Sequence, residues 1–81
     1  MSNSRSPLVI GYCLVTTTLL TDKPQYLVDY HVKKDKIKSV DLTENKTVAR
    51  FYDSKFFAEG ICEMLNVNTP YTFVVKEIYA I

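Results

Sequence analysis

The sequence predicts an α+β domain: a mainly antiparallel five-stranded sheet, in the chain order ββββαβ, with one helix packed on one face. Three observations lead there. Residues 8–19 and 71–79 are rich in β-branched and aromatic side chains, which suit a pleated, packed surface. Residues 25–33 alternate along the chain, the period of a strand. Residues 54–65 place apolar side chains three and four apart, the period of an amphipathic helix. With 81 residues there is room for one core, so residues 8–81 are read as a single domain behind a flexible, polar segment, residues 1–7.

In the first strand, Leu8 to Leu19, Thr16, Thr17 and Thr18 favour strand over helix because branched side chains are stiff at χ1. Leu8, Ile10, Tyr12 and Leu14 share one face, and Val9, Cys13 and Val15 the other, so both faces are apolar. Such a strand wants cover on both sides. Gly11 marks a bulge or a close approach. Thr21-Asp22-Lys23-Pro24 is turn chemistry. The second strand, Gln25 to Lys33, sets Tyr26, Val28, Tyr30 and Val32 on one face and Leu27, Asp29, His31 and Lys33 on the other. Lys34-Asp35 forms a tight hairpin into a third strand, Lys36 to Leu42. Glu44-Asn45 then turns the chain into a fourth, Lys46 to Phe51.

Asp53 is positioned as an N-cap for a helix over residues 54–65. Its buried stripe is Phe57, Ala58, Ile61, Met64 and Leu65, with Cys62 at the margin, and Asn66 suits a left-handed C-cap. Thr69-Pro70 stops the helix from resuming. Tyr71 to Tyr79 closes the chain as a strand, again apolar on two faces. One helix covers one face of a sheet. The surplus apolar faces therefore point to an interface, with a protein partner or with a second copy.

Composition excludes several function classes. Hydrophobic residues make up 47% and charged residues 23%, which is globular rather than disordered usage. A net charge of +1 predicts neither a nucleic-acid nor a membrane partner from bulk charge. The apolar run at residues 8–20 is broken by Gly11 and three threonines and is too short to span a bilayer. It is followed by no small-residue cleavage site, so the expected location is cytoplasmic. Two glycines cannot build a phosphate loop or a dinucleotide fingerprint, and no cofactor is expected.

For catalysis, the only histidine, His31, has Asp29 two residues away on the same strand face. Without a nucleophile or oxyanion donors nearby the pair reads as an exposed contact rather than a catalytic one. Cys13 and Cys62 read as core filling, and the two cysteines with His31 have no ligand spacing for a metal. The sequence is therefore read as non-enzymatic. Two binding surfaces stand out. Phe56, Gly60 and Glu63 follow i, i+4, i+7 spacing and would form a notch beside an aromatic knob on the helix. Lys33, Lys34, Lys36 and Lys38 cluster at one hairpin beside Tyr30, with Tyr26 further along the same strand, the mixture of cations and rings used on single-stranded nucleic acid. The first surface supports the leading expectation, a protein-binding or regulatory protein; the second supports the alternative, a nucleic-acid-binding protein.

The stretch Arg50-Phe51-Tyr52-Asp53-Ser54-Lys55, then Ala58, Ile61 and Leu65, then Tyr71 through Ile78, resembles small phage- or prophage-encoded accessory proteins, over roughly residues 26 to 79. In these a short meander leads into a helix and a closing strand. The resemblance implies an inhibitor or modifier of bacterial host machinery, anti-defence factors included.

Overall fold

Among the described residues four strands form the sheet, not five. The computed structural model describes residues 8–17 and 23–80. In chain order it contains β1 (Val9–Thr16), β2 (Gln25–Lys33), β3 (Lys36–Thr43), a 3-10 turn (Lys46–Val48), α1 (Lys55–Asn68) and β4 (Phe73–Tyr79). The strands are antiparallel in the order β3-β2-β1-β4. The expectations for residues 1–7 and for the far end of the first strand, residues 18–19, lie outside the described residues.

The expected fourth strand is lost to turn chemistry. Asn45 caps the 3-10 turn, its side-chain oxygen accepting from the Thr47 backbone N–H at 3.0 Å and from the Thr47 hydroxyl at 2.7 Å. The Asn45 N–H in turn donates to the Thr43 hydroxyl at 3.0 Å. These local bonds compete with a ladder and override the strand preference of Thr47 and Val48.

Only the end of that segment joins the sheet, and it does so as a wedge. Tyr12 and Tyr52 exchange backbone hydrogen bonds at 2.7 and 2.8 Å, while the Arg50 N–H donates to the Leu27 carbonyl at 2.8 Å. Among the described residues β1 and β2 pair directly only at Val15–Tyr26 and Thr16–Gln25. Beyond those rungs residues 50–52 sit between them.

α1 begins one residue later than expected. Ser54, not Asp53, is the N-cap, accepting from the Phe57 N–H at 3.2 Å. The helix also runs three residues past Leu65, because Asn66 stays helical and spends its side chain on β4. Its C-cap is Thr69.

The core lies between α1 and one sheet face, where Leu14, Leu27, Tyr52, Ala58, Cys62, Leu65 and Phe73 are buried. Each fully buried Leu or Phe contributes about 1.5–3 kcal/mol relative to exposure. Cys62 is thus central rather than marginal, whereas Ile61 and Met64 are half-buried and Phe57 is exposed. A β-bulge in β2, where the register shifts between Leu27 and Asp29, resets the expected alternation. Leu27 and Tyr30 therefore pack toward the helix and Tyr26 packs on the opposite face.

That opposite face is not left bare. Cys13, Val15 and Tyr26 are buried there with Ala49 and Ile78 against them. Gly11 stands at a register shift in β1 with the Phe51 ring directly over it, so any Cβ at this position would overlap the ring. The close approach expected of Gly11 is real, and its partner is the segment expected to be a strand. The surplus apolar face is covered in its middle by residues 49–51.

Candidate functional site

The outward face of α1 is built by the same periodicity that builds the core. Ala58, Cys62 and Leu65 point into the sheet. At about 100° per residue, Phe56, Gly60, Glu63 and Val67 lie on the side directly opposite. The structure brings Phe56, Gly60 and Glu63 together, as the spacing predicts, and adds Phe57, Glu59 and Ile61 as walls of a shallow groove of about 390 Å³. Phe56 is 87% exposed and Val67 76% exposed. Apart from its chain neighbours and the backbone of its own helix, Gly60 has no heavy atom within 4 Å of the position its Cβ would take. A packing reason for this glycine inside the fold is therefore absent among the described residues.

Val67 belongs to the same surface and was not singled out from the sequence. The spacing of 56, 60, 63 and 67 by four, three and four residues carries the signal, but the sequence pattern ends the helix at Leu65.

The lysine hairpin is also formed. Lys34 and Asp35 occupy the two turn positions with φ of 53° and 64°, the doubly left-handed geometry of a two-residue type I′ turn. Lys33 and Lys36 face each other across it, and a second bulge, between Ser39 and Ile37, carries Lys38. All four lysines are exposed. The stacking rings, however, are not beside them. Tyr30 is half-buried against the helix-side core and Tyr26 is buried on the opposite face. The cations stand without the aromatic platform the sequence suggested.

His31 meets Asp41 rather than Asp29, with Nε2 and Oδ2 3.3 Å apart on an exposed surface. Asp29 accepts from the Tyr30 N–H at 2.8 Å and lies 3.4 Å from Arg50. Among the described residues no group of three or more His, Cys, Asp or Glu side chains is placed to hold a metal ion. Both cysteines are free and buried. Burial pushes the Cys13 thiol up against the opposing charges of Lys46 and Lys76, and burial likewise raises Cys62 against a hydrogen bond from Asn66. Neither environment makes a nucleophile. No helix among the described residues is long and apolar enough to cross a membrane.

No family model, curated protein or solved structure matches this chain. The functional reading therefore rests on the geometry of its surfaces.

Proposed function

We propose that this is a non-enzymatic protein-binding protein whose docking surface is the outward face of α1. The observation that carries the reading is Gly60. A mid-helix glycine costs about 1 kcal/mol relative to alanine, and here nothing within the fold occupies the space it leaves. Beside it stands a phenylalanine that is 87% exposed. An aromatic knob next to an open notch is the arrangement by which a helix face takes an apolar anchor from another protein.

The partner is a protein surface offering an apolar ridge. A second copy meets that description, since the spacing of Phe56, Gly60, Glu63 and Val67 reads the same in both directions. An antiparallel pairing would set Phe56 against Val67 of the second copy. An inhibitor or modifier of a bacterial host factor, the role the phage-like resemblance implies, would use the same face.

The test is a photo-crosslinking residue installed at position 56 in producing cells. The expected result is a discrete protein adduct that disappears when Gly60→Arg fills the notch. Adducts to no protein, or adducts indifferent to Gly60→Arg, would overturn the reading. The second reading, nucleic-acid binding, is favoured by the four exposed lysines at the hairpin tip. It expects retention on single-stranded DNA that weakens with salt as counterion release fades.

A further inference from the structure

Among the described residues β4 is an edge strand, paired with β1 on one side only. Its first outward rung is already filled, and by an informative group. The Asn66 carboxamide, reaching over from α1, donates from Nδ2 to the Phe73 carbonyl at 3.0 Å and accepts from the Phe73 N–H at 2.6 Å. A carboxamide is chemically a peptide group, and it sits on Phe73 as the neighbouring strand of a ladder would. Since Phe73 directs its N–H and C=O away from β1, alternation directs those of Val75, Glu77 and Tyr79 the same way. Pairing with β1 is regular from Phe73 to Ile78, so no bulge in β4 interrupts the alternation. These outward groups open into a groove of about 640 Å³ walled by Lys55 and Glu59 of α1.

We propose that this edge is a docking site for one extended peptide segment of another protein, added antiparallel to Val75–Tyr79 as a fifth strand. Charge decides the occupant. A docked strand that places a basic residue opposite Glu77 and an acidic one opposite Lys76 satisfies both faces of the edge, because directly opposed side chains lie on the same face. A second folded copy cannot adopt that register. Its Lys76 directs its backbone toward its own β1, so two-fold pairing must match outward residues with outward residues. Centred on residue 76 or 77, that pairing puts Lys76 on Lys76 or Glu77 on Glu77, like charges face to face. Centred on Val75, it needs the Phe73 rung that Asn66 occupies, and centred on Ile78 it joins only Glu77 with Tyr79 and leaves Val75 without a partner among the described residues. The edge thus favours a foreign strand over a second copy, and the strand's apolar residue meets the exposed Val74. This surface is distinct from the outward face of α1, although Glu59 borders both grooves.

The probe is an acetylated, amidated hexapeptide, Thr-Val-Lys-Glu-Thr-Val, titrated into the isotope-labelled full chain. The expected result is slowed exchange and shifted amide signals at Val75, Glu77 and Tyr79. N-methylation of the peptide at its lysine and second threonine, whose N–H groups face the edge, should weaken binding about tenfold or more. Glu77→Pro should weaken it similarly. Its lost N–H points away from β1, where an edge strand tolerates proline. Should that variant fail to fold, the N-methyl comparison on the unaltered protein still decides. Unshifted amides at Val75 and Glu77 at millimolar peptide, or equal affinity for the N-methylated peptide, would overturn the proposal. Shifts confined to Phe56 and Val67 would also overturn it while leaving the α1 reading intact.

Discussion

Replacing Gly60 by alanine separates what the fold requires from what a partner requires. The added methyl group enters open space, with no heavy atom within 4 Å beyond its chain neighbours and its own helix backbone, and the backbone there is ordinary helix. The substitution therefore meets no clash and gains helix propensity, about 1 kcal/mol. For a domain of this size that corresponds to a rise in Tm of roughly 4–8 °C. Thermal unfolding followed by circular dichroism, with urea titration as a second measurement, reads the change. The crosslinking yield at position 56 should fall at the same time, because the methyl group raises the notch floor. A stability loss of 1 kcal/mol or more in Gly60→Ala would show that the glycine serves the fold after all, and the argument that it is reserved for a partner would fail.

Leu65→Ala should cost about 2–5 kcal/mol through the cavity it leaves, since Leu65 is fully buried, whereas Phe56→Ala should cost less than about 0.5 kcal/mol; comparable losses in urea would mean that Phe56 is core. Replacing Lys34-Asp35 by Asn-Gly should stabilise the hairpin by about 1 kcal/mol or more, because each L-residue held left-handed costs roughly that much, and Asp35→Val should destabilise it; unfolding midpoints that move the other way would refute the type I′ assignment. Burial raises both thiols, so the folded chain favours the protonated form. The stability this lends is fully present below the unfolded thiol value of about 8.5 and is lost as pH rises through and beyond it. Urea midpoints from pH 7 to 10 should fall over that window, and more steeply than those of a double Cys→Ser variant; parallel curves would refute the coupling.

The parts of the fold legible in the sequence are those in which one residue pattern has one structural solution. The strand at residues 25–33, the Lys34-Asp35 turn and the Ala58 and Leu65 positions of the helical stripe appear where expected. Gly11 likewise marked a close approach. The failures come from side chains that bond locally. Asn45 and Thr43 convert an apolar-looking strand into a 3-10 turn. Asn66, expected to end the helix, holds Phe73 instead, a contact no local pattern reveals. The bulge after Leu27 swaps Tyr26 and Leu27 between faces, which a period-two reading cannot anticipate. For the candidate site, the knob and notch follow directly from helical spacing, because an exposed face needs no tertiary information. The loss of the tyrosine platform beside the lysines follows from that bulge.

The wedge of residues 50–52 also shapes how the chain reaches this structure. β2 and β3 are joined by a two-residue turn and can zip locally within microseconds. β1 and β4 come from opposite ends of the described chain, and their pairing must close a long loop before it is rewarded. A β1 that arrived before Tyr52 was in place would be free to continue along β2 past Tyr26, because nothing in the ladder itself forbids those rungs. Seating Tyr52 against Tyr12 blocks that continuation. The same three residues draw the N-terminus of α1 alongside β1 and shorten the remaining loop to β4. The segment that failed to become a strand thus limits how far β1 runs along β2.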